Sequence, residues 1–435
     1  MTEFAAPTLP GAPAREDALR AADRAAVERA RGAGRRLRLF WLLLGPGALV
    51  MLGENDGPSM ISYAATGASA GIGFFLPFVA LTFAMAYAVQ ETALRVAVAT
   101  GRGHAELIQA RFGPFWGRFA MGDLVVGNLL TLVTEFVAIR AGAAYFGVPP
   151  AVSVAAGAAV VTGSLALRRY ASWERALLGL AAFNLLFVPV ALLAGPDWGA
   201  VGHAFAAWGP RPPFDRGFLT LVLADIGATV TPWMIFFQQG ASVDKGLARQ
   251  DLRHGRLDTA LGALLAALAG IAAILATSRL RAAGVDASSF AGGADFATAL
   301  APVVGPFGAA LFAIAIVEAG LVAAMTISTS SSYALAESLG ARRSLNLDFR
   351  SGAAFYGAAI ASTLAAAGLV LWPGAPLLAL TLTVNVIATL LMPPALLLLL
   401  MLANDRELMG DLANGRFENM VGGAIIAALA AAGAL

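Results

Sequence analysis

Apolar stretches long enough to cross a bilayer as helices, about 20 residues each, recur from residue 39 to the end of the chain, separated by short polar loops. Eleven spans are predicted: 39–66, 72–98, 117–146, 151–167, 173–194, 217–241, 257–281, 299–335, 352–371, 375–403 and 418–435. Two of them interrupt their own pattern. Span one runs apolar from Phe40 and then reads Gly53, Glu54, Asn55, Asp56, Gly57, Pro58; span six places Gly227, Ala228 and Thr229 ahead of Pro232. Proline removes a backbone donor and glycine loosens the helix, so amides and carbonyls come free at a depth where no water can pair them. A cation can take the carbonyls, as in the discontinuous helices of transporters. Spans one and six each begin a set of five, and interruptions at corresponding positions point to a binding site between inverted repeats.

Composition agrees with the pattern. The 435 residues are 59% hydrophobic and 13% charged, with a mean hydropathy of +0.75, far from a soluble domain. The charge is sorted. With the N-terminus inside, the inner segments hold 23 of the 29 Lys and Arg residues, eight of them between Arg15 and Arg38, while the outer side has Arg211, Arg216, Arg279 and Arg281. That positive-inside asymmetry predicts a cell (inner or plasma) membrane protein with a cytoplasmic N-terminus and an external Leu435. It also explains the net charge of +2 without a nucleic-acid partner, because the Arg residues are spread over every inner loop. No obligate protein partner is evident.

Residues 1–38 form a leader followed by an Ala/Arg/Glu helix expected to lie solvated at the inner lipid surface; residues 39–435 form the transmembrane domain. The absence of cysteine excludes thiolate metal sites. Only three histidines occur, with no HExxH and no Ser-His-Asp arrangement at membrane depth, so an enzyme is not expected.

Other polar residues stand out against the apolar spans. Glu91 and Arg95, four apart, read as a structural ion pair. Span three carries Asp123, Asn128, Thr134, Glu135 and Arg140. Span eight holds Glu318 and the hydroxyl run Thr326 to Ser332; most of those hydroxyls are expected to bond back to their own helix, whereas an acid at the depth of Glu318 needs a partner or water. Asn385 lies eight residues before Pro393 in span ten.

From about Gly45 to Gly410 these residues resemble the NRAMP divalent-metal transporters. Gly45-Pro46-Gly47, then eight residues, then Asp56-Gly57-Pro58-Ser59 follows the family's span-one motif, matching Asp56 to its metal-binding aspartate and Ser59 to its asparagine. Gly227-Ala228-Thr229-Val230-Thr231-Pro232-Trp233 follows the span-six motif, Thr134-Glu135 the span-three Thr-Asp pair, and Asn385 the span-ten glutamine. The closing NDRELMG is similar to the family's segment after span ten. The resemblance implies an all-α polytopic fold of eleven helices, LeuT-like, with inverted repeats at about 39–194 and 217–403, broken helices 1 and 6, and a further helix at 418–435.

The departures matter. Thr231 stands where the family has methionine, and Trp233 and Gln238 stand where it has histidines. Hydroxyl, amide and carboxylate oxygens suit Mg²⁺, whereas a thioether favours softer transition metals. This is similar to the NRAMP-related magnesium-transporter branch. The expectation is therefore alternating-access import of Mg²⁺, with Mn²⁺ as a further ion and no strict proton coupling, since the proton-exchanging histidines are gone. The resemblance implies a site of Asp56, Ser59, Thr231, Asn385 and the Ala228 carbonyl, with Glu54, Glu135 and Gln238 lining the approach, and no resident cofactor. A proton-coupled Mn²⁺/Fe²⁺ or Al³⁺ carrier, or a sodium-coupled organic-solute carrier of the same fold, is the alternative.

Overall fold

The computed structural model describes residues 13–209, 216–287, 290, 292–374 and 377–433; residues 1–12 of the expected leader lie outside them. In chain order the helices are α1 (Pro13–Gly32), α2 (Arg36–Leu43), α3 (Pro46–Glu54), α4 (Gly57–Ala70), α5 (Phe75–Thr100), α6 (His104–Phe112), α7 (Pro114–Ala144), α8 (Pro150–Ser164), α9 (Tyr170–Ala181), α10 (Phe187–Leu193) and α11 (Trp198–Ala206). They continue with α12 (Arg216–Gly227), α13 (Pro232–Lys245), α14 (Leu252–Ala282), α15 (Gly293–Ser338), α16 (Ala353–Leu371), α17 (Leu377–Asn404), α18 (Arg406–Met409) and α19 (Arg416–Gly433). Among the described residues, nine helical segments are long and apolar enough to cross a membrane, or ten when α2 and α3, bent by 53°, count as one span. A helix occupies each of the eleven expected segments, but α19 is not among those ten.

Two long helices organise the packing. α14 lies against α3, α4 and α5, while α15 lies against α7, α10 and α16 and also touches the broken-helix segments α3, α4 and α13. Small residues make the close approaches possible. A Cβ on Gly262 of α14 would come within 2.7 Å of the Ala48 Cα, and one on Gly47 within 2.5 Å of the Thr259 backbone nitrogen. In α15, Pro302 and Pro306 flank Gly305, whose φ of 74° bends the helix where a Cβ would be strained.

The Gly45-Pro46-Gly47 motif is also a capping site. The start of α3 has free amides, and Asp258 of α14 reaches across to accept from Gly45 N at 3.0 Å, Gly47 N at 2.7 Å and Ala48 N at 3.1 Å. Asp258 is buried, so a carboxylate from another span satisfies a buried helix N-terminus. Its charge also complements the positive end of the helix dipole.

The N-terminal helix, expected to lie solvated at the inner lipid surface, leaves most of its residues at least partly exposed. It is strapped across the Arg-rich loop face by ion pairs: Arg20 to Asp244, Arg24 and Arg31 to Asp251, Glu16 to Arg342 and Asp23 to Arg169. The charges that alternate with Ala along it are matched by loops distant in sequence. The Glu91–Arg95 pair forms as predicted, at 3.2 Å.

Candidate functional site

The first break is short. α3 ends at Glu54, Asn55 turns the chain, and Asp56 takes an extended ψ of 173° that lets its own carboxylate cap α4, accepting from Ser59 N at 2.8 Å. The second break runs from Ala228 to Thr231, which is extended (φ −126°, ψ 153°) before Pro232 starts α13. Both breaks use the same chemistry: an extended residue, then a proline within the first turn, where its missing amide costs nothing.

The breaks are bonded to each other. Thr231 Oγ1 donates to Glu54 Oε2 at 2.8 Å. On the α4 side, Tyr63 donates its hydroxyl to the Ala228 carbonyl at 3.0 Å and lies 3.0 Å from the Thr229 hydroxyl. The third wall is α7. Glu135 Oε2 accepts from Gly57 N at 3.0 Å, and its carboxyl group meets that of Asp56. Gly57 permits this approach, since a Cβ there would stand 2.0 Å from the Ala138 Cβ.

Glu54 and Glu135 are fully buried, Asp56 is 2% exposed and Thr231 4%. Glu54 Oε1 and Glu135 Oε1 have no hydrogen-bond partner. Three carboxyl groups and surrounding hydroxyls thus converge in a dry interior, an arrangement that requires protons or a cation to balance it. Every donor atom in the set is oxygen, the chemistry of hard cations. Among the described residues, no three acidic or histidine side chains close into the geometry that grips a bare metal ion.

The structure brings together Glu54, Asp56, Ser59, Glu135, Ala228 and Thr231 from the predicted set. The Ala228 carbonyl is engaged by Tyr63. Gln238 is placed elsewhere, about two turns along α13, with its amide 3.5 Å from the Thr259 hydroxyl. Asn385 falls within α17, but its side chain lies outside the described residues. Glu135 and Arg140 do not pair; Arg140 reaches the Val370 carbonyl instead. The α15 hydroxyls mostly bond back to their own helix, as expected, though Ser330 also ties α15 to α13 through the Trp233 carbonyl at 2.9 Å.

Sequence reasoning passed over three residues that hold the breaks: Tyr63, Asp258 and Asn184. Asn184 exchanges hydrogen bonds with Asn55, accepting from Asn55 Nδ2 at 2.9 Å and donating to Asn55 O at 3.3 Å. A signal for it existed, because between Arg175 and Gly195 it is the one residue with a polar side chain.

Residues 47–435 match the family model described as natural resistance-associated macrophage protein-like. A divalent metal cation transporter MntH 1 of Pseudomonas aeruginosa is 27% identical over 415 residues, covering 91% of each chain. A transporter MntH of Burkholderia ambifaria is 28% identical, covering 69% of this chain and 68% of its own. Among solved structures, a variant of the manganese transporter of Eremococcus coleocola superposes with a TM-score of 0.73 at 20% identity, covering 91% of this chain and 86% of that one. A Na⁺-coupled sialic acid symporter shares the fold more distantly, with a TM-score of 0.55 at 13% identity over 96% of this chain and 94% of that one.

Proposed function

On the premise that this chain belongs to the natural resistance-associated macrophage protein (Nramp) family of divalent-metal transporters, we propose that it carries Mg²⁺, and Mn²⁺ as a second ion, into the cytoplasm by alternating access without strict proton coupling. The observation that carries this reading is the Thr231–Glu54 hydrogen bond at 2.8 Å. Where the resemblance places a soft thioether, this chain has a hydroxyl bonded to an additional carboxylate.

Asp56 and Ser59, with Thr231, Asn385 and the Ala228 carbonyl, form the binding set in this proposal; Glu54 and Glu135 serve the approach. Mg²⁺ sheds water reluctantly and keeps several waters when bound. Carboxylates spread around the water shell suit such an ion better than three converging on a bare one. Asp56 contributes charge, and the neutral oxygens of Ser59 and Thr231 orient the shell. For the ion to leave, Thr231 and Glu54 part as α13 and α3 move relative to each other. The N-terminus and the Arg-rich loops face the cytoplasm, as positive-inside sorting requires. A membrane potential contributes about 2.3 kcal/mol per charge per 100 mV, so a doubly charged ion is drawn inward without a coupled proton.

The names of the relatives favour one second reading, a manganese carrier. Both readings meet the same experiment. Purified protein in liposomes is loaded with a Mg²⁺ or Mn²⁺ indicator, and in parallel with a pH indicator, at several external pH values. Saturable Mg²⁺ uptake without internal acidification is expected. Mn²⁺ uptake that Mg²⁺ does not compete with, or stoichiometric acidification, overturns the proposal.

A further inference from the structure

Tyr63 belongs neither to the binding set nor to the approach, yet its hydroxyl is bonded to an atom of that set. It lies on α4, about two turns after Asp56, and is fully buried. The hydroxyl donates to the Ala228 carbonyl at 3.0 Å and lies 3.0 Å from Thr229 Oγ1. Thr229 in turn donates to the Asp225 carbonyl at 2.7 Å and lies 3.0 Å from the Thr82 hydroxyl of α5. Ala228 falls in the gap between α12 and α13. Among the described residues no backbone amide donates to its oxygen, which leaves the Tyr63 hydroxyl as its donor.

The ring has little room to step aside. A Cβ on Gly270 of α14 would stand 3.1 Å from its Cε2 and 3.2 Å from its Cδ2, so the ring occupies the space that this glycine leaves. Phe83 of α5 packs against it, with ring centroids 6.4 Å apart. A side chain packed so closely keeps its hydroxyl where it is.

We propose that Tyr63 is a specificity-determining residue, which withholds the Ala228 carbonyl from direct contact with the metal. This rests on the Mg²⁺ reading of the Asp56 site. A hydroxyl hydrogen and a divalent cation are both positive, and on one oxygen in an apolar interior their repulsion is weakly screened. With Tyr63 in place, the ion meets Ala228 through a water of its own shell. Mg²⁺ dehydrates reluctantly and keeps such waters. Mn²⁺, which exchanges its waters faster, is denied a direct ligand.

The test is uptake of Mg²⁺ and Mn²⁺ by the full-length protein in liposomes, with KM and maximal rate measured for each ion. Tyr63→Phe keeps the ring and removes the hydroxyl alone; it should lower KM for Mn²⁺ several-fold and leave KM for Mg²⁺ nearly unchanged. Thr229→Val is the control, because it breaks the same network and spares the Tyr63–Ala228 bond, so its KM ratio should match the wild type. An unchanged ratio in Tyr63→Phe overturns the proposal. An equal shift in both variants also overturns it, since Tyr63 then acts on the shape of the second break and not on the ion. If the wild type carries Mn²⁺ and no Mg²⁺, the Mg²⁺ reading fails. Tyr63 is then judged on Mn²⁺ alone: a KM lowered in Tyr63→Phe and not in Thr229→Val supports its role, and an equal KM overturns it. A measurement on the wild type covers a Tyr63→Phe protein that does not purify as a single species. Hexaamminecobalt(III), which holds its ligand shell, should compete with Mg²⁺ uptake; saturable Mg²⁺ uptake without such competition overturns the water-mediated contact.

Discussion

The Thr231 hydroxyl donates to Glu54 Oε2 at 2.8 Å, so the residue that opens α13 is bonded to the residue that ends α3. Thr231→Met removes that donor and leaves both Glu54 oxygens unpaired while introducing a soft ligand. The ratio of Mn²⁺ to Mg²⁺ uptake in liposomes should rise by roughly tenfold, because a thioether favours transition metals over hard ions. An unchanged ratio would remove Thr231 from the selectivity argument.

Asp56 has two roles that substitution can separate. As a cap on Ser59 N at 2.8 Å, its loss to Ala costs about 1 kcal/mol of stability. As a charged ligand, its loss should abolish transport. Asp56→Asn keeps a capping oxygen and loses the charge, so it should unfold near the wild-type temperature and yet carry no Mg²⁺. Substantial flux through Asp56→Asn would show that the ion does not depend on this carboxylate.

Asp258 accepts from three amides at the start of α3, and removing it strands all three in a buried site. Asp258→Ala should destabilise the protein by about 3 kcal/mol or more, seen as a lower Tm in detergent. Asp258→Asn keeps one acceptor oxygen and should fall between the two. Equal Tm for Ala and Asn would mean that capping of α3 is not what the residue contributes.

The spans and both breaks were legible because they follow from local chemistry: runs of apolar residues, and Gly or Pro where a helix must stop. The convergence of Glu54, Asp56 and Thr231 was legible only through the matched position of the breaks. What could not be read were partners distant in sequence. Nothing in the local sequence marks Asp258, yet it caps a helix more than 200 residues earlier. Gln238 was expected along the approach because of where the resemblance placed it, but the turn of α13 points it toward Thr259 on α14. The ion pairs of the N-terminal helix were not legible because its pairing acids and bases sit on separate loops.

His104 opens α6 in the loop after α5, with its Nδ1 3.0 Å from Gln239 Oε1 and its ring edge-on to Phe236. Burial lowers its pKa to about 4 from an ordinary 6.5, and the Gln239 contact opposes only part of that. The unfolded chain therefore takes up the proton first as pH falls. Stability is full above about 6.5 and is lost progressively down to about 4, by about 3 kcal/mol at 1.36 kcal/mol per pKa unit. His104→Asn, which keeps a donor toward Gln239 and cannot titrate, should flatten that part of the Tm against pH curve. A curve as steep as the wild type's would place the acid sensitivity elsewhere.

Asp251 is buried and holds both Arg24 and Arg31 of α1, besides accepting from Ala248 N at 3.0 Å. Exposed ion pairs contribute little, and most of the strap's pairs are at least partly exposed. A carboxylate out of water that serves two guanidinium groups is different, because losing it leaves both without their strongest partner. Asp251→Asn should therefore release α1 more than any change at its exposed acids, and trypsin should cut after Arg20, Arg24, Arg29 and Arg31 several-fold faster than in the wild type. Raising salt should speed cleavage of the wild type only modestly, since screening acts weakly on a buried acid. If Asp251→Asn and wild type are cut at the same rate while Glu28→Gln is cut faster, the exposed pairs hold the helix and Asp251 does not.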